Sequence, residues 1–125
     1  MDTKINIKTG KICFEAELND SPTAKAIIEA LPIKETCNRW GGEIYFSIPV
    51  SMKLETNNSR DILQPGEIGY WPTGNAFCIF FGQTPASNGC EIRAASAVNI
   101  VGKITGNLDI LEDVPDGSEV MIDKF

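Results

Sequence analysis

The run AFCIFF, Ala76 to Phe81, carries an apolar residue at every position and stops on Gly82. A strand with one wet face alternates apolar and polar residues, whereas a strand covered on both faces does not need to. With a side-chain period of two, Phe77, Ile79 and Phe81 share one face and Ala76, Cys78 and Phe80 the other. One face must fill a core. The second is either more core or the wall of a site.

The rest of the chain supplies the partners such a strand requires. Residues 4–8 and 11–18 alternate apolar and polar positions and meet at Thr9-Gly10, the pattern of a hairpin. Glu43 to Val50 is β-branched and aromatic and follows Gly41-Gly42. Glu67 to Trp71 is a further strand, followed by the turn Pro72-Thr73-Gly74. Ala97 to Ile104 and the C-terminal GSEVMIDKF complete the set of strands. Asp20-Ser21-Pro22 combines a cap with proline at a first helical position. It opens a short helix with Ile27, Ala30 and Leu31 on one face, closed by Pro32. Leu108 and Leu111 mark a second short helix before Pro115-Asp116-Gly117. The residues before Gly41 read as a polar connection, and residues 56–66 as a polar excursion with one helical turn at Arg60 to Leu63. Many short strands with two small helices predict a mainly β fold, a closed or nearly closed antiparallel barrel that hides its strand edges. At 125 residues it forms a single domain, residues 1–125.

Composition narrows the function. Eleven Lys and Arg against 17 Asp and Glu give a net charge of -6, which disfavours nucleic acid and anionic membranes as partners. Neither a signal-peptide run nor a spanning segment is apparent, so the expectation is a cytoplasmic protein whose four cysteines are free thiols. Histidine is absent. That removes imidazole-activated nucleophiles, histidine bases and nearly all catalytic zinc chemistry. With no Walker A loop and no GxGxxG turn, no cofactor and no metal are expected.

Three segments resemble cyclophilins: AELNDSPTAKAIIEAL, NAFCIFFG and VNIVGKITGNLDILEDV. More closely, NRWGGEIYFSIPV, GYWPTGNAFCIFFGQTPAS and ASAVNIVGKI, which together span most of the chain, resemble an uncharacterised prokaryotic family of small cyclophilin-like proteins. The resemblance implies a closed eight-stranded barrel with a helix over each open end. It also implies a loss. Where cyclophilin isomerases carry an arginine before Val-Ile-Pro, this chain has Phe46 before Ser47-Ile48-Pro49. The pocket glutamine, phenylalanine and histidine fall at Ala76, Cys78 and Val98, and the pocket tryptophan near Arg93. Peptidyl-prolyl isomerase activity is therefore not expected.

The resulting expectation is a non-catalytic module that binds a small molecule or short peptide in an apolar, aromatic-rimmed groove. That groove would be made by Phe46, Trp71, Cys78, Phe80 and Arg93. Against each stands a plainer reading: a groove filled by its own side chains, a tryptophan that merely packs beside a turn, a cysteine raised in pKa by apolar neighbours and therefore inert. Asn38-Arg39-Trp40 offers a cation and an aromatic at a strand entrance, though Arg39 is as readily paired with one of the surplus acids. The enzyme alternative rests on Glu43 and Tyr45, which share a strand face and would serve as acid and base. The substrate would be of amide or urea type, as in the cyclophilin-like domains of allophanate hydrolase and oxoprolinase subunits. A third reading makes the groove a homo-oligomer contact.

Overall fold

A computed structural model describes residues 2–125. The chain opens as a hairpin of β1 (Thr3–Thr9) and β2 (Ile12–Leu18), paired in unbroken register from Thr3 opposite Leu18 to Thr9 opposite Ile12. The turn is Gly10-Lys11, and Gly10 supplies the positive φ of 60° that a two-residue hairpin turn demands. Helix α1 (Pro22–Ala30) follows; Ser21 caps it by accepting from the Ala24 N–H at 3.2 Å, and Ala24 and Ile27 are buried.

The remaining strands are β3 (Ile33–Thr36), β4 (Asn38–Trp40), β5 (Glu43–Ser47), β6 (Ser59–Leu63), β7 (Glu67–Trp71), β8 (Ala76–Phe80), β9 (Ile92–Ile104) and β10 (Glu119–Lys124). A 3₁₀ turn (Pro72–Gly74) joins β7 to β8, and a 3₁₀ helix (Leu108–Asp113) precedes β10. All pairings are antiparallel, in the order β3-β10-β1-β2-β9-β7-β8-β5-β4, with β6 laid beside β9.

The two ends of this sheet, β3 and β4, are consecutive in the chain and separated only by Cys37. Cys37 keeps backbone bonds to the β10 side, donating to Ser118 O at 2.8 Å and accepting from Gly117 N at 2.9 Å, before the chain crosses to β5. Counted as one bent strand, β3 and β4 complete an eight-stranded wall. The expected barrel is closed by the chain itself rather than by a continuous hydrogen-bonded ladder.

Several local expectations change, among them the end of the Glu43 strand, which is Ser47 rather than Val50. Residues 33–40 are strands rather than a polar connection, and residues 59–63 form β6 rather than a helical turn. The last strand before the second helix begins at Ile92, earlier than expected. That helix is 3₁₀ rather than α. Both stretches lack the apolar–polar alternation of a half-buried strand: Lys34, Glu35 and Thr36 are all exposed, and in β6 apolar Ile62 is exposed while Leu63 is buried.

Inside the barrel, Ile5, Ile7, Leu18, Phe46, Ile68, Tyr70, Phe77, Ile79 and Ile122 are fully buried in one cluster, which α1 and the 3₁₀ helix close with Ile27 and Leu111. A loop, residues 48–58, is strapped across it. The Tyr70 hydroxyl donates to the Val50 carbonyl at 2.5 Å and accepts from the Met52 N–H at 3.2 Å. Fully buried Asn99 accepts from the Glu55 N–H at 2.7 Å and donates to Lys53 O and Thr23 Oγ1; the Glu55 carboxylate in turn accepts from Thr23 and Asn58. A second cluster, with Cys78, Phe80, Leu63, Ala94, Val98 and Ile100, lies on the outer face of β7, β8 and β9.

Candidate functional site

The outer cluster does not fill its own face. Between Trp40, Glu43, Tyr45, Trp71, Cys78, Phe80, Ala94, Ala95 and Val98 lies a half-open cavity of about 130 Å³. Its position follows from two glycines. At the β4–β5 turn, a Cβ on Gly42 would lie 2.2 Å from the Gly82 carbonyl carbon. The turn therefore seats directly on the neighbouring backbone, with Gly42 N–H donating to Gln83 O at 2.7 Å and Phe81 N–H to Gly42 O at 2.8 Å. This holds Trp40 opposite Glu43. On β7, a Cβ at Gly69 would lie 2.5 Å from Val98 Cγ2, so the missing side chain is what lets Val98 settle beside Phe80 as the floor.

Register then brings the side chains together. Glu43 pairs with Phe80 and Tyr45 with Cys78 across β5 and β8, and Gly69 pairs with Cys78 across β7 and β8. Trp71 closes the far side, its indole N–H fixed to Ser96 Oγ at 2.7 Å.

Glu43 is the chemical singularity of this surface. Its side chain is buried, with 6% of the residue exposed. Among the described residues the group that meets its carboxyl is the Cys78 thiol, and no lysine or arginine pairs with it. Burial pushes the carboxyl up to about 7, only partly opposed by the thiol contact. Cys78 is pushed well above the ordinary thiol range, first by burial and then by the Glu43 charge, so the sulfur stays protonated and unreactive.

The two groups of residues singled out from sequence, one for a groove and one for acid and base, thus meet at one cavity: Trp71, Cys78 and Phe80 line it together with Glu43 and Tyr45. Two residues do not join them. Phe46 is fully buried on the inner face, stacked on Phe77 with ring centroids 5.2 Å apart. Since Tyr45 faces outward opposite Cys78, the period of two obliges Phe46 to face inward. Arg93 is held away from the cavity by Asp61 at 2.8 Å and Glu91 at 2.6 Å. Arg39 is likewise committed, donating to Val114 O at 2.7 Å and Gly41 O at 3.1 Å and lying 5.0 Å from the Phe81 ring centroid. Trp40, by contrast, enters the cavity wall, and so do Val98, where the resemblance puts the pocket histidine, and Ala94 and Ala95, which sequence reasoning did not place there.

The sequence profile of the Cyclophilin-like family matches residues 3–123. The chain belongs to that family. As a cyclophilin-like domain it is also similar to the solution structure of a hypothetical protein from Archaeoglobus fulgidus, with a TM-score of 0.83 and 41% identity over 99% of this chain and 95% of that one. None of the curated proteins matches the chain. Among the described residues of this cyclophilin-like domain, no helix is long and apolar enough to cross a membrane, and no three His, Cys, Asp or Glu side chains gather as metal ligands. Phe46, which stands where the resemblance puts the isomerase arginine, faces the core. Its neighbours Tyr45 and Ser47 bring no cation to the outer surface.

Proposed function

We propose that this cyclophilin-like domain is a non-catalytic binding module that takes a small molecule, or the end of a short peptide, in the cavity between β4, β5, β7, β8 and β9. The observation that carries the reading is a preformed, aromatic-walled cavity lined by one buried carboxyl that the Cys78 thiol meets and no lysine or arginine pairs. A volume of about 130 Å³ is close to the ~150 Å³ apolar cavity known to hold benzene, so a single small group enters and the rest of the ligand lies outside.

Prolyl isomerisation does not fit the same surface. Its barrier of ~18–20 kcal/mol is lowered by positioned donors on the twisted amide, and neither a guanidinium nor an imidazole lines the cavity. A coupled prolyl-peptide assay is expected to show the uncatalysed rate.

The acid and base reading keeps one specific support, a carboxyl held near neutrality beside a tyrosine in the same cavity. It needs a donor for the developing oxyanion. The Trp71 N–H is already spent on Ser96.

The binding reading is tested by following the indole N–H resonances of Trp40 and Trp71 while fractionated small-molecule extract is added. Shifts confined to these residues and their cavity neighbours are expected. Resonances that stay still in every fraction would sink the reading.

A further inference from the structure

Resting on the binding reading above, we propose that the group entering the cavity is a small alkylated ammonium, held against the rings of Trp40, Tyr45, Trp71 and Phe80 with the Glu43 carboxylate as its counter-ion.

An anion would need donors, and the wall offers neither lysine nor arginine, while the chain as a whole carries a net charge of -6. A plain hydrocarbon would match the rings but leave the Glu43 carboxyl buried against it with the Cys78 thiol as its contact and no counter-charge. A primary ammonium brings three N–H donors that each want an acceptor, and among the lining side chains the oxygen acceptors are the Glu43 carboxyl and the Tyr45 hydroxyl. Replacing N–H by N–CH₃ removes that demand and turns it into contact with aromatic faces, whose negative quadrupoles attract a cation. The ammonium also supplies what Glu43 lacks, a positive charge at close range in a site of low dielectric.

Burial and partner agree on a further sign. An empty cavity keeps the Glu43 carboxyl protonated near neutrality; a bound cation favours its ionised form, so binding releases a proton below pH 7. The other titratable groups facing Glu43 are the Cys78 thiol of β8 and the Tyr45 phenol of β5 itself. From β9 the wall is Ala94, Ala95 and Val98, none of which titrates.

The test is calorimetric titration with choline and with its neutral isostere 3,3-dimethyl-1-butanol, repeated at pH 6 in two buffers of different ionisation enthalpy. Choline is expected to bind on the order of tenfold more tightly than the isostere, with proton release, and E43Q to lose that preference. Because Glu43→Gln is nearly isosteric but buried, W71L serves as a second variant at the rim and is expected to weaken choline more than the isostere. Equal affinity for the two probes, or an E43Q protein that keeps the preference, overturns the ammonium assignment while leaving the binding reading intact. If neither probe binds and the wild-type protein also carries no retained small molecule, both readings fall.

Discussion

Trp40 and Glu43 stand opposite each other across the two-residue turn Gly41-Gly42, and the turn is seated on the backbone of Gly82 and Gln83 with no room for a side chain. The wall of the cavity is thus fixed by a contact outside it. Gly42→Ala is expected to cost about 2–3 kcal/mol, through overpacking against backbone that cannot rotate aside. Gly10→Ala has open space and only a left-handed φ to oppose it, and is expected to cost about 1–2 kcal/mol. Urea denaturation of the two variants checks the order; equal losses would mean that the turn is not seated as described.

Glu43 makes stability depend on pH in the direction opposite to a salt-bridged acid. Its folded value of about 7 lies above the ordinary 4.5. Below 4.5 both states hold the proton and no penalty exists; as pH rises from 4.5 to about 7 the unfolded chain releases a proton that the folded one keeps, and stability falls. At about 1.4 kcal/mol per unit, the penalty levels off at roughly 3–4 kcal/mol above pH 7. Glu43→Gln lacks this term, so its stability relative to wild type is expected to rise across that window. A difference that stays flat from pH 4.5 to 8 would place the carboxyl in water.

Phe46 and Arg93 separate core from site. Phe46→Ala removes a ring stacked inside the barrel and is expected to cost about 3–5 kcal/mol. Arg93→Ala breaks only surface ion pairs, screened by solvent, and is expected to leave stability nearly unchanged. Neither Arg93→Ala nor the milder Phe46→Leu should move the affinity of any cavity ligand. A large affinity loss in the arginine variant, measured by calorimetry, would return Arg93 to the binding surface.

Asn99 ties the loop 48–58 to β9 and α1 through Glu55, Lys53 and Thr23. Asn99→Ala leaves the Glu55 N–H and the Lys53 carbonyl without their partner, with an expected loss of about 1–3 kcal/mol. Hydrogen exchange should speed up first in residues 53–58. Uniform acceleration over the whole barrel would instead make Asn99 a general core residue.

How much of this was legible in the sequence differs by level. The hairpin, the Ser21 cap and the inner and outer faces of β8 follow from local rules, and they are in place. The strands of 33–40 and 59–63 are hidden because apolar and polar residues do not alternate along them, and only pairing with β10, β5 and β9 makes them strands. At the site, Glu43 and Tyr45 were assigned one face correctly. Alternation sets Phe46 on the face opposite Tyr45, but only the β5–β8 register, with Tyr45 opposite Cys78, decides which of the two meets the cavity. Trp40 had a readable signal: a two-residue Gly-Gly turn puts its flanking residues opposite each other, and one of them is Glu43. Val98 is marked only through the resemblance, at the pocket-histidine position, and Ala94 by nothing in its own segment; the seat that Gly69 leaves for Val98 is a contact across strands.

The central claim is that the cavity beside Glu43 holds a ligand. Native mass spectrometry of the protein purified from its own cells, with Ala95→Trp measured alongside, tests it most directly. Ala95 is exposed at the rim, so the larger ring should plug the mouth without disturbing the barrel. The expected result is a small-molecule adduct on the wild-type protein that disappears in the plugged variant. Bare mass for both proteins, or an adduct that survives the plug, would contradict the claim.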